Sequence, residues 1–207
     1  MEGLFNTFVV LFIVIDPVGL APIFAALTAG MMPAARRRTA LRGTALATVI
    51  LLAFLFSGDA LFQVLGISLE AFRIAGGALL FLLAIDMVFA RQSGLRSTTE
   101  GEQREAAHKQ DLSVFPLAFP LIAGPGALTT VLLMAANAGD AWAFASGLAV
   151  LLVVLGLALA SLLVAARLQG WLGETGANVI SRLLGLILAA LAVQYMLDGL
   201  KAVFVAG

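Results

Sequence analysis

Apolar residues run along this chain in six long blocks, with no two-residue alternation of the kind a half-buried strand shows. The blocks fall at roughly Leu4–Thr28, Leu41–Leu65, Ile67–Phe89, Val114–Asn137, Trp142–Leu168 and Val179–Val203. Each reaches the length of about 20 residues that carries a helix across the hydrocarbon of a bilayer. There, unpaired backbone is not tolerated, so a spanning segment must be a helix or part of a closed barrel. The pattern predicts an all-α polytopic membrane protein with six transmembrane helices.

Two of the blocks are interrupted in the same way, 108 residues apart. The first reads Ile15-Asp16-Pro17-Val18-Gly19-Leu20-Ala21-Pro22, and the second Ala123-Gly124-Pro125-Gly126-Ala127-Leu128-Thr129-Thr130. A proline inside a helix removes one hydrogen bond and clashes one turn back. At mid-membrane the freed backbone groups need protein or a water-filled cavity beside them. Matching Gly/Pro breaks in the two halves of a chain point to a transporter's substrate site.

Other positions repeat at nearly the same offset. Arg73-Ile74-Ala75-Gly76-Gly77 aligns with Arg182-Leu183-Leu184-Gly185-Leu186, and Met87 aligns with Met196. Spans one to three therefore read as duplicated in spans four to six. Three is odd, so the second copy must enter from the opposite face. This predicts an inverted repeat: residues 1–90 as one three-span half, 91–113 as a cytoplasmic linker, and 114–207 as the other half. Helices 1 and 4 are the broken ones, and both breaks fall near the midplane.

Composition agrees with the pattern: 62% of residues are hydrophobic and 12% charged, against about 45–50% and about 25% in a soluble domain. Net charge is zero and cysteine is absent, so nothing points to nucleic acid or thiol chemistry. His108 stands alone in the polar linker, and no metal or cofactor site is expected. The first span is not expected to be a cleaved signal, because Glu2 is its only early charge and Asp16, Pro17 and Pro22 lie within it.

Basic residues set the orientation. Arg36, Arg37, Arg38 and Arg42 follow span one; Arg91, Arg96, Arg104 and Lys109 follow span three; Arg167 and Arg182 flank the start of span six. Only Arg73 and Lys201 fall on the other side. Lys/Arg-rich loops stay cytoplasmic, so both termini are expected to face out.

The breaks carry the candidate chemistry. Asp16 before Pro17 is the favoured pairing of an N-cap with a first helical position. It can cap the second half-helix, hold a cation, or do both. Gly19, Gly124 and Gly126 open space for backbone to meet a ligand, or simply let helices pack closely. Thr129 and Thr130 either face the cavity or bond back to their own helix. A half-helix N-terminus suits a carboxylate, and a break with Asp16 beside it suits an ammonium. Together they match a small zwitterionic amino acid. Gln194 in span six is a further candidate contact. Arg73 and Arg182 either snorkel to headgroups or pair with carboxylates or freed carbonyls. Small residues such as Gly147, Gly156 and Ala160 can pack within the bundle or between protomers of a homo-oligomer.

Four segments carry a family resemblance: Ile15 to Phe24, Phe119-Pro120-Leu121-Ile122-Ala123-Gly124-Pro125-Gly126, Arg73 to Gly77, and Ala192-Val193-Gln194-Tyr195-Met196-Leu197-Asp198-Gly199. In that order of chemistry they resemble the MarC family of six-span membrane proteins, which includes neutral amino acid transporters of the SnatA type. The resemblance implies an inner-membrane protein with inverted repeats that moves glycine, alanine, serine and similar substrates with protons. It also implies that either Asn or Asp serves at position 16.

The expectation is thus a secondary transporter, not an enzyme, working by alternating access around Asp16, Pro17, Val18, Gly19, Leu20, Gly124, Pro125, Gly126, Ala127, Thr129, Thr130 and Gln194. Its partners would be the amino acid, protons and membrane lipids. The competing readings are a membrane translocase or enzyme acting on a lipid-linked phosphate, held by Arg73 or Arg182 near Asp86, and a non-transporting partner subunit whose breaks are packed shut by side chains.

Overall fold

The structure, a computed structural model, describes residues 2–89 and 111–205. Among them are eight helical segments and no strand. The first four are α1 (Glu2–Ile15), α2 (Pro17–Leu27), α3 (Pro33–Leu65) and α4 (Leu69–Phe89). Beyond the linker come α5 (Ser113–Ile122), α6 (Pro125–Ala136), α7 (Ala141–Leu163) and α8 (Ala165–Val205). Most of the expected linker, with His108, lies outside the described residues, as do the side chains of Arg167 and Trp171.

Five spans are long and apolar enough to cross a membrane, with α1 and α2 forming one of them, and the bent α5–α6 pair makes a sixth. The chain is an all-α polytopic membrane protein. Two boundaries differ from expectation. Helix α3 begins at Pro33, eight residues before Leu41, and α8 at Ala165, fourteen before Val179. Proline suits a first helical position, and the flexible stems of the exposed Arg37 and Arg38 let a helix end stand clear of the hydrocarbon. Hydropathy marks only the apolar part of each helix.

The two breaks are built differently, although the sequence presents them as a pair. At the first, only Asp16 leaves the helix, at φ 50 and ψ 66. Its N–H still donates to Phe12 O at 2.9 Å, and its carbonyl accepts from Leu20 N–H at 3.0 Å. The ladder resumes at once, and Leu4–Leu27 runs on as one span. Aspartate is among the few side chains that tolerate left-handed backbone, because it can hydrogen-bond locally.

The second break is wider. Pro116, Pro120 and Pro125 remove three donors within ten residues. Phe115 and Phe119 are extended, as residues before proline prefer. Wide i→i+5 bonds take over, from Leu117 N–H to Leu112 O at 3.3 Å and from Ala123 N–H to Ala118 O at 2.9 Å. The α5 and α6 axes meet at 57°.

Span one sits at the centre, with 61% of its window buried against 22% for α8. Around it, α3 packs on α5 and α6, while α7 packs on α1 and α2. In the same way α4 packs on α6 and α8 on α2. The largest interface joins α4 to α8, which run antiparallel. There a Cβ on Gly77 would lie 2.6 Å from Met196 Cγ and 2.7 Å from Ala192 O. A Cβ on Gly185 would lie 2.8 Å from Met87 Cβ. Each helix thus offers a glycine to the other's methionine, an arrangement that small residues allow by letting backbones approach. Large apolar side chains such as Val49, Phe56, Trp142 and Leu183 are exposed on the outside, where hydrocarbon would meet them.

Candidate functional site

At the first break the Asp16 carboxylate and the Pro17 carbonyl both find partners. The Asp16 side chain is 1% exposed. Its Oδ1 accepts from Gly19 N–H at 2.9 Å, satisfying an N-terminal amide of α2. Its Oδ2 accepts from the Ser181 hydroxyl of α8 at 3.2 Å. From α7, Ser161 donates its hydroxyl to the Pro17 carbonyl. Glycine is required at position 19, since a Cβ there would stand 2.8 Å from both Asp16 Cγ and Ser181 Oγ. Both serines come from the other half of the chain. Ser161 stands out in the sequence only as a polar residue in an apolar span, and Ser181 gives no signal beyond being a hydroxyl close to Arg182.

The second break is left uncapped. Gly124 occupies the N-cap of α6 in extended backbone with no side chain to offer, and Pro125 is the first helical residue. By position, the amides of Gly126 and Ala127 have no intrahelical acceptor. They lie in a small, partly open cleft of about 10 Å³, room for about one water molecule. Its walls are Val14, Leu79, Leu83, Pro120, Leu121 and Ile122, together with the backbone from Gly124 to Ala127. No charged side chain lines it. The two breaks meet here: a Cβ on Gly126 would come 3.2 Å from Val14 Cγ1 and 2.7 Å from Leu83 Cδ2, and Val14 precedes Asp16 by two residues.

The remaining expected residues divide. Gly124, Pro125, Gly126 and Ala127 line the pocket. Pro17, Val18, Gly19 and Leu20 form the first turn of α2 and are not among its walls. The Asp16 carboxylate is likewise turned away, toward α8. Thr129 is buried against Gly76 of α4. Thr130 donates back to Gly126 O at 2.8 Å, the self-bonding that hydroxyls in helices favour. Gln194 is exposed and donates to Asp198 Oδ1 at 2.8 Å; the helix rotation that aims it away from the pocket is set by the α4–α8 contacts. Arg73 donates to Asn137 at the end of α6. It stands thirteen residues from Asp86 on α4, about 20 Å along the axis, so these two do not form a common phosphate site.

Residues 1–204 match the model of the MarC family integral membrane proteins. It is similar to the UPF0056 membrane protein YvbG of Bacillus subtilis (strain 168), 39% identical over 132 residues, which is 64% of this chain and 63% of that one. It is 38% identical over 128 residues to the UPF0056 membrane protein YhcE of Escherichia coli (strain K12), covering 62% and 59%. A UPF0056 membrane protein of Archaeoglobus fulgidus is 36% identical over 136 residues, covering 66% and 63%. The aligned region thus spans less than two thirds of each of these relatives. No solved structure matches. With the family model matched from the first residue to within three of the last, on a helical membrane fold, this chain belongs to the MarC family.

Proposed function

We propose that the protein is a secondary transporter of small neutral amino acids such as glycine, alanine and serine, coupled to protons. The observation that carries this reading is the uncapped N-terminus of α6 opening into an apolar pocket at the broken span. Free first-turn amides and the helix dipole favour a carboxylate. The apolar walls suit a small aliphatic side chain, and the space beside Gly126 must widen from its present size, about that of a water, before one enters. Asp16 caps the neighbouring break and is the group we assign, when released from Ser181, to the substrate ammonium.

Alternating access would move one three-span half against the other. The reciprocal contacts of α4 with α8, and the paired contacts of α3 and α7, are those that a two-fold axis in the membrane plane would generate. The basic N-terminal end of α3 faces the cytoplasm in this arrangement.

The test is flux into liposomes holding the purified protein. Saturable uptake of labelled alanine, driven by an imposed proton gradient and competed by glycine and serine, supports the reading. Protein that is folded and inserted but carries none of the three overturns it.

A further inference from the structure

Among the described residues, two buried side-chain polar atoms have no hydrogen-bond partner: Thr44 Oγ1 and Arg36 Nη2. The second belongs to a cation. Burying a guanidinium N–H without an acceptor is costly, and such a group calls for a partner such as water or an ion.

Arg36 differs from its basic neighbours. Arg37 and Arg38 are exposed, as a basic membrane flank requires. Arg42 is paired with Asp111 at 3.3 Å. Arg36 instead folds inward, with its guanidinium carbon 5.7 Å from the ring centre of Phe24. That ring is 1% exposed, so it offers a fixed platform on which the guanidinium plane is held. The surroundings add positive potential. Arg36 lies in the first turn of α3, where Met32 provides no side-chain cap and no acidic residue is present. The helix dipole and the exposed Arg37 and Arg38 therefore favour an anion at the same point, offset in part by Asp111, which pairs with Arg42 and lies within reach of Arg38.

We propose that Arg36, seated on Phe24, is an oxyanion-binding site at the basic end of the bundle. The planar guanidinium matches a ligand with two oxygens on one centre. The phosphate of an anionic phospholipid and the carboxylate of an amino acid share that chemistry. This site is separate from the α6 pocket, and it stands whether or not the protein transports amino acids.

Purified protein in nanodiscs distinguishes the two sources. One arm compares melting temperature in phosphatidylcholine with that in phosphatidylcholine containing phosphatidylglycerol. The other titrates alanine in phosphatidylcholine alone and reads apparent affinity from the same melts. R36M is compared with wild type and with R37M, which removes an equal charge from an exposed position. R36K keeps the charge, loses the fork, and serves if R36M does not fold. If a lipid phosphate is bound, R36M loses most of the stabilisation by phosphatidylglycerol, R36K loses part of it, and R37M keeps it. If a carboxylate is bound, alanine affinity in R36M weakens about tenfold or more, the effect of one charge-assisted bond. Equal responses of R36M, R36K and R37M in both arms overturn the site.

Discussion

Ser181 donates its hydroxyl to Asp16 Oδ2 at 3.2 Å, joining residues 165 positions apart in the chain. With Ser161 on the Pro17 carbonyl, it ties the turn of span one to both long helices of the second half. A break in the membrane is stable only where its polar groups are answered, and these serines answer them across the interface between halves.

Asp16 should therefore be separable into two roles. Asp16→Asn keeps an oxygen acceptor for Gly19 N–H and a side chain that tolerates left-handed backbone, so its melting temperature should stay close to wild type. Asp16→Leu loses both. Loss of an N-cap costs about 1 kcal/mol, and a poorly suited side chain in that backbone region adds about 1–3 kcal/mol. A thermal melt in detergent measures the difference. In liposomes Asp16→Leu should abolish flux, while Asp16→Asn, which keeps the cap, should carry flux with weaker alanine affinity. Retained transport in Asp16→Leu contradicts the substrate contact.

Ser181→Ala removes one part-buried bond to the Asp16 side chain. The cost should be about 0.5–1.5 kcal/mol, seen as a lower melting temperature. Ser146→Ala is the comparison, because that hydroxyl is exposed and bonds only to the Ala143 carbonyl of its own helix. Equal melting temperatures for the two variants would mean that the tie to Asp16 adds nothing.

At the pocket, Gly126→Val would drive methyl groups into Leu83 and Val14. Overpacking typically costs about 1–3 kcal/mol, and the added bulk lies beside the amide assigned to the carboxylate. Flux and alanine-induced stabilisation should both disappear. Thr130→Val keeps the shape and loses only a bond to Gly126 O, so alanine stabilisation should persist.

Gly77→Val tests the α4–α8 seam. Its side chain would strike Met196 and the Ala192 carbonyl, and backbone cannot move aside as a flexible side chain can. Destabilisation should exceed that of Gly156→Val, since Gly156 has nothing within 4 Å of a Cβ position. Melts of the two variants side by side decide it.

Asp111 gives a pH dependence outside the spans. The Ser113 hydroxyl, then its backbone amide and Arg42, hold the carboxyl below its usual value of 3.8 despite some desolvation. A depressed carboxylate contributes stability above the unfolded pKa and loses it as pH falls through the folded one. The contribution should be present at neutral pH and vanish below the ordinary carboxylate range. Both partners of its ion pair are about half exposed, so Asp111→Asn should change stability by about 1 kcal/mol or less at neutral pH and not at all in acid.

Hydropathy made the six spans legible, and the Asp16-Pro17 and Gly124-Pro125 pairs marked where two of them break. The difference between the breaks was less visible. It comes from Pro116 and Pro120, whose restriction of Phe115 and Phe119 lowers the first part of span four into wide turns. The partners of Asp16 were hidden for another reason. In helices apolar on every side, no polar face fixes the rotation, so sequence does not say that Ser181 points inward and Gln194 outward. Packing at the small residues of α4 and α8 decides that.

That seam also bears on motion. A glycine at each meeting point leaves two antiparallel backbones touching along smooth surfaces, with methionine as the most pliable filling a helix can offer. If one half moves against the other, as the transport reading requires, this joint is where the two backbones would roll over one another.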